Sequence, residues 1–171
     1  DAAFGRAATV VEMEIEIGRH TAVPLEPRAL LADADPAAGT LSIYGMTKVP
    51  VFNRDVLAGL LGMPEDLIHV HAVDAGGGFG VRGEFYPEDF LVPWLATRLG
   101  RPVKWTEDRA EHLVAVNHSR QQRHRIAVAF DPAGRITGLR DDIVHDNGAY
   151  CRTHGIAVPE LTVTMLPGPY R

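Results

Sequence analysis

Residues 9–17, TVVEMEIEI, alternate between the apolar Val11, Met13, Ile15 and Ile17 and the acidic Glu12, Glu14 and Glu16. A period of two predicts a strand with one buried and one wet face. Residues 25–46, LEPRALLADADPAAGTLSIYGM, read as two strands around a turn at Pro36–Gly39. From Pro50 to Leu61 the pattern becomes helical: Phe52, Val56 and Leu60 share a face beside Leu57 and Leu61, and Gly62 and Pro64 stop it. Residues 66–73, DLIHVHAV, predict a strand. A second helix starts near Pro87, with Glu88 and Asp89 in the first turn, where the helix dipole favours acids. Along it Phe90 and Trp94 share a face, as do Leu91, Leu95 and Leu99, and Gly100 and Pro102 end it. Pro93 lies inside this span and predicts a kink or a shortening. PVKWTED, residues 102–108, is a short strand, and RQQRHRIAVAF and GRITGLRDDIVHD, split by DPAG, form a hairpin. Beyond Tyr150 the pattern weakens. No repeat, low-complexity stretch or linker intervenes. The expectation is one α+β unit over residues 1–171, with mixed and antiparallel strands and two main helices.

Composition narrows the function classes. A chain of 171 residues, 46% apolar and 23% charged, has the length for one ordinary domain with a core. Its formal charge of −5 and dispersed arginines exclude a nucleic-acid footprint. No apolar run approaches the roughly 20 residues that span a bilayer, and no secretory signal heads the chain. Cys151 is the single cysteine, so neither an internal disulfide nor a thiolate cluster is available. A cytoplasmic location is expected.

Five glycines fall within residues 76–83, GGGFGVRG. Glycine loses more backbone freedom on folding than any other residue, so such a run marks a sharp bend or a close approach to a ligand. Three readings are open. Gly78, Gly80 and Gly83 spell G-x-G-x-x-G between a strand and a helix, with Glu107 and Asp108 further on for a ribose hydroxyl: a dinucleotide-binding module. Against it, residues 84–87, EFYP, displace the helix start from a pyrophosphate, and the N-terminal part is rich in strands. The second reading is a turn that only joins strand to helix, in a non-catalytic assembly domain. The third is a wall against another cofactor.

The wider segment supports the third. GGGFG, then YPEDFLVPWLATRLGRPVKWTEDRAEHL, NHSR and DNGAY closely resemble the molybdopterin-binding large subunit of the xanthine oxidase family, which includes aldehyde oxidoreductases and aerobic carbon monoxide dehydrogenases. AVPLEPR, residues 22–28, is similar to the family's H-A-P-M-E-P-R, with Ala22 in the histidine slot. The resemblance covers nearly the whole chain. It implies a molybdenum cofactor, including its cytosine dinucleotide form, and a complete enzyme that hydroxylates an aldehyde, an N-heterocycle or a CO-like substrate with oxygen from water. It also implies partner chains carrying iron–sulfur and FAD groups. Carried over residue by residue, Gly77, Gly78, Phe79 and Gly80 would lie against the cofactor, where backbone N–H groups point at oxo and phosphate oxygens.

The chain departs from the family at several positions. The slot of a glutamine that hydrogen-bonds a metal oxygen holds Lys48, which donates but cannot accept, with Thr47 before it. A glutamate expected just after the run is replaced by Gly83, with Glu84 one step on; Arg82 matches a commonly basic position. Arg82 and Glu84 are the substrate-side candidates, with a salt bridge as the plain alternative for Arg82. The family's catalytic glutamate lies far beyond this stretch, so no catalytic residue is assigned here. The chain reads as an internal segment of such a subunit, inactive alone, from a split subunit or an excised domain.

Other chemistry is weaker. His69 and His71 face one side of a strand near Asp74, without a third metal ligand, and read as a half-buried hydrogen-bonded pair. His112, His118 and His124 recur at a spacing that fits neither helix nor strand. Cys151 near His154 lacks an orienting partner for nucleophilic work.

Overall fold

The alternation over residues 29–35 and 40–44 buries every second side chain, and this sets the geometry around the glycine run. The computed structural model describes residues 2–46, 48–152 and 154–169. In chain order, the elements used below are α1 (Ala2–Gly5), β1 (Thr9–Ile17), β2 (Ala29–Asp35), β3 (Thr40–Tyr44), α2 (Pro50–Leu61), β4 (Ile68–His71), α3 (Pro87–Leu99), β5 (Val103–Thr106), α4 (Arg109–Ala115), β6 (Gln121–Phe130), β7 (Ile136–Asp146) and α5 (Ala157–Met165). The fold class is α+β, as expected. By contact the chain divides into two compact units, one of residues 1–20 with 118–171 and one of residues 21–117, where the sequence reads as one.

The second unit is a four-stranded sheet in the order β4-β3-β2-β5. The β2–β3 hairpin turns where expected. Asp35 accepts from the Ala37 and Ala38 amides, and Gly39 takes φ 70°. β3 pairs parallel with β4 and β2 antiparallel with β5; α2 connects β3 to β4, and α3 connects β4 to β5. Leu30, Ala32, Ala34, Leu41, Ile43 and Ile68 from the strands pack with Leu57, Ala58, Val92 and Ala96 from α2 and α3. Burial of one such aliphatic side chain stabilises by about 1.5–3 kcal/mol.

Both helices start and stop as the sequence predicts, yet bury other faces. α2 turns Asn53, Leu57 and Ala58 inward and leaves Phe52 and Leu60 exposed. α3 buries Asp89, Val92, Pro93 and Ala96, while Leu91, Trp94, Leu95 and Leu99 face out. Pro93 does not shorten α3, which runs unbroken to Leu99. The loss is confined to one N–H donor to the helix's first turn. The strand expected over residues 66–73 narrows to Ile68–His71 behind a 3-10 turn at Glu65–Leu67.

The first unit is an antiparallel sheet in the order β1-β6-β7. β6 and β7 form the expected hairpin. β1 is a strand as predicted, but its apolar row is not buried: Val11, Met13 and Ile15 are exposed, Met13 by 52%. α1 packs on β7, where the missing Cβ of Gly138 admits Ala3 and Phe4. His124 on β6 is buried between Asp141 and Gln122. α5, where the pattern weakens, is a helix the sequence reading did not find.

Candidate functional site

The glycine run leaves β4, crosses residues 72–80 as irregular chain, closes a 3-10 turn over Val81–Gly83 and meets α3 at Pro87. Its backbone takes positive φ at Gly77 (102°), Phe79 (47°) and Gly80 (94°). Phe79 is a non-glycine residue in that region, and its ring is 80% exposed. The glycines serve different ends. A Cβ on Gly76 would lie 2.6 Å from Glu26 Cβ, and one on Gly77 would lie 3.1 Å from Phe79 Cε2 and 3.2 Å from Pro24 Cβ. Gly78 is open: the nearest atoms to its Cβ position are Arg82 Cβ and Cδ at 3.9 Å, and its φ is ordinary. At Gly80 nothing lies within 4 Å. Among the described residues the N–H groups of Gly78, Phe79 and Gly80 meet no acceptor, whereas that of Gly76 donates to Glu26 Oε2 at 2.6 Å.

Behind the run, segment 22–28 is held carbonyl by carbonyl. His112 Nε2 meets Ala22 O at 2.9 Å, and Arg109 donates to Pro24 O and Leu25 O. Arg82 donates to Glu26 O, Pro27 O and Glu26 Oε2, and from Nε to Gly77 O at 2.8 Å. Arg28 N donates to Glu107 Oε2, and the Glu107 amide donates back to Arg28 O. The Arg28 guanidinium makes two further bonds to Glu107 Oε1, pairs with Glu88 and lies 3.8 Å over the Tyr86 ring. Glu107 also meets His112 Nδ1 at 2.8 Å.

Burial pushes the Glu107 carboxyl up, but the Arg28 side chain, the Arg28 amide and His112 outweigh it and hold it below the usual range. Burial pushes Arg28 down, and Glu107 and Glu88 more than restore it. Asp89 goes the other way. Burial raises it to about 6, against the Tyr86 N–H that it accepts at 2.7 Å and the nearby Arg28 charge. Removing one partner of a buried pair such as Arg28–Glu107 typically costs about 3–5 kcal/mol, because the other is left charged and unpaired.

The sequence-predicted residues divide. Gly77, Gly78, Phe79 and Gly80 form one continuous surface. Lys48 is exposed two residues before α2, and Thr47 lies outside the described residues. Arg82 and Glu84, the substrate-side candidates, both turn inward: the Arg82 side chain is 7% exposed and paired with Glu26, and Glu84 accepts from Asn117 Nδ2. The salt-bridge alternative for Arg82 is the one the structure contains. Sequence reasoning missed Glu26, Arg109 and the Glu107–His112 pair. The EPR tripeptide was visible, but not what its glutamate and arginine would meet.

The dinucleotide reading fails on geometry. Gly83 closes a 3-10 turn instead of entering a helix. β4 and β5 sit at opposite edges of the sheet. Glu107, the acid intended for a ribose, is buried against Arg28. His69 and His71 are both exposed, not half-buried, and His71 stacks on Tyr44 with centroids 4.5 Å apart. Cys151 is exposed and accepts from Asn147. Among the described residues no three His, Cys, Asp or Glu side chains gather to hold a metal, and no helix is long and apolar enough to cross a membrane.

A groove of about 150 Å³ beside the run is lined by Glu26, Tyr44, Val73, Asp74, Arg82 and Lys104. Pockets that enclose a cofactor start near 300 Å³, so this groove is not a complete site. Residues 78–80 lie outside that lining; their open glycine faces, donor amides and exposed aromatic ring suit the edge of a large, oxygen-rich anion.

The family model described as molybdopterin cofactor-binding domain matches residues 1–171. The chain is 42% identical over its whole length to the 6-hydroxypseudooxynicotine dehydrogenase complex subunit gamma of Paenarthrobacter nicotinovorans, of which it covers 21%. It is 39% identical over 88% of its length to the nicotine 6-hydroxylase large subunit of the same organism, covering 18% of that protein. Among solved structures, quinoline 2-oxidoreductase from Pseudomonas putida 86 superimposes with TM-score 0.84 at 38% identity, over 89% of this chain and 19% of that one. The chain thus spans about a fifth of the relatives it matches.

Proposed function

This chain belongs to the molybdopterin cofactor-binding domain family, and from that premise we propose that Gly77–Gly80 form one wall of the cofactor site in a molybdenum hydroxylase acting on an N-heterocycle. The observation that carries the reading is the Gly78–Phe79–Gly80 surface, with open Cβ positions and three amides without acceptors among the described residues. When bound, the cofactor supplies the redox chemistry. The chain's own part is to bind and orient. The amides donate to oxygens of the cofactor, Phe79 keeps water from it, and Lys48, with Thr47 before it, forms a polar edge.

The N-heterocycle class is supported by the names of similar proteins, which carry nicotine and quinoline. The rest of the subunit, an iron–sulfur subunit and a flavin subunit complete the cytoplasmic enzyme, and without them this segment is inactive. The cytosine dinucleotide form of the cofactor belongs to the same reading.

Gly78→Ala in the complete subunit, produced with its partners, tests the wall. The added methyl meets nothing closer than 3.9 Å within the chain, so the thermal midpoint of the cofactor-free form is expected to hold while molybdenum and pterin content of the complex fall several-fold. Full molybdenum content in this variant would remove the run from the cofactor site. The substrate class is tested on the purified complex with quinoline, nicotine, an aldehyde and CO. Turnover confined to the aldehyde or CO would replace the N-heterocycle assignment.

A further inference from the structure

The geometry points to Arg82 and Glu26 as positioning residues, a latch that sets the shape of the glycine run from behind. The inference rests on the reading that the run is the cofactor-facing wall. Arg82 follows the run in sequence, yet its side chain folds back beneath it. Nε donates to Gly77 O at 2.8 Å, and one terminal nitrogen donates to Glu26 Oε2 at 2.9 Å and to the Glu26 and Pro27 carbonyls at 3.1 Å each. Glu26 Oε2 also accepts the Gly76 amide at 2.6 Å, and Gly76 O accepts the Glu26 amide at 3.3 Å. Gly76 and Gly77 are thus gripped from one side, immediately before the open residues 78–80.

Three features make this a latch and not a surface pair. The Arg82 side chain is 7% exposed, and the acceptors around it offset the cost of taking its guanidinium out of water. Those acceptors lie in two directions, one reached through Nε and three through a terminal nitrogen; a planar guanidinium spans them and an ammonium cannot. Glu26 Cβ occupies the place a Gly76 side chain would need, which explains that glycine without any ligand. The consequence falls on Phe79. Its φ of 47° requires the residues before it to be fixed, since a strained backbone persists only where its surroundings over-determine it and a ring that is 80% exposed has little packing of its own to do so.

The latch makes a prediction that a substrate-binding arginine does not. Arg82→Lys keeps the charge and loses the fork. In the complete subunit with its partners, R82K is expected to behave like R82Q. Amide hydrogen exchange of Gly76 and Glu26, the two N–H groups bonded across the latch, should rise about tenfold or more in the cofactor-free form, as loosening those hydrogen bonds implies. Molybdenum content should fall several-fold, and the fraction still loaded should keep its KM. Glu26→Gln retains an oxygen for the Gly76 amide and is expected to be mild; Glu26→Ala is expected to match R82K.

Full molybdenum content with a raised KM in R82K would make Arg82 a substrate group and overturn the latch. Unchanged exchange at the Gly76 and Glu26 amides would overturn it as well. The wall reading fails separately, through Gly78→Ala: loss of molybdenum there with a silent R82K would sink the latch alone.

Discussion

Burial pushes the Asp89 carboxyl from an ordinary 3.8 up to about 6, with Glu88 adding to the rise and the Tyr86 amide and Arg28 opposing it. A carboxyl whose folded value lies above its unfolded one takes up a proton on folding. The stability it contributes is complete below about pH 4 and is lost as pH rises toward 6, by about 3 kcal/mol for this gap. Glu107, held low by Arg28 and His112, acts in the opposite sense and is lost as pH falls. Asp89→Asn isolates the first effect, because an amide oxygen still accepts the Tyr86 N–H. Thermal midpoints of the complete subunit and of this variant should diverge between pH 4.5 and 6.5, the variant gaining on the parent as pH rises. A difference that does not change with pH would mean Asp89 is ionised throughout. None of this was legible in the sequence. Arg28 and Glu107 lie 79 residues apart, and no periodicity joins such positions. The resemblance of EPR to a family motif marked Arg28 without giving it a partner.

At the scale of elements, position was legible and orientation was not. Pro50, Gly62, Pro87 and Gly100 bracket both helices because proline fixes φ at a helix start and glycine takes the left-handed cap, φ 65° at Gly62 and 60° at Gly100. Those signals are local. Which face packs is decided by the sheet, and α3 is apolar on nearly every side. It lays Ala96 and Val92 against β2, where small side chains permit close approach, and its leucines stay outside. The glycine run was legible as a special element, but its glycines looked equivalent in sequence and are not. Gly76→Ala drives a methyl into Glu26 at 2.6 Å, and Gly80→Ala meets no atom but must hold φ 94°. That conformation costs an L-residue about 1–2 kcal/mol. Gly78→Ala should stay within about 0.5 kcal/mol of the parent. Thermal midpoints of the three variants in the cofactor-free complete subunit are expected to rank 78 above 80 and 80 above 76. Equal losses at all three would dissolve this division of labour.

For the whole chain, the sequence pattern that failed is as informative as those that held. The alternation over residues 9–17 predicts a half-buried strand, and the strand is there, yet Val11, Met13 and Ile15 lie exposed. In the other unit Leu91, Leu95 and Leu99 form a second exposed apolar row along α3. A period of two or of three to four reports that a face is apolar; it carries no information about what covers that face. Contiguous apolar patches of this kind mark interaction sites, and the chain makes up only 21% of a relative that matches it end to end. These rows are therefore expected to be covered in the complete protein and sticky in the segment by itself. Residues 1–171 produced alone should elute as oligomers in size-exclusion chromatography with light scattering and bind an apolar-surface dye strongly, whereas the complete complex should bind little of it. A monomeric, dye-silent segment would mean that the two rows are tolerated surface, and the covering of β1 and α3 by further chain would have to be given up.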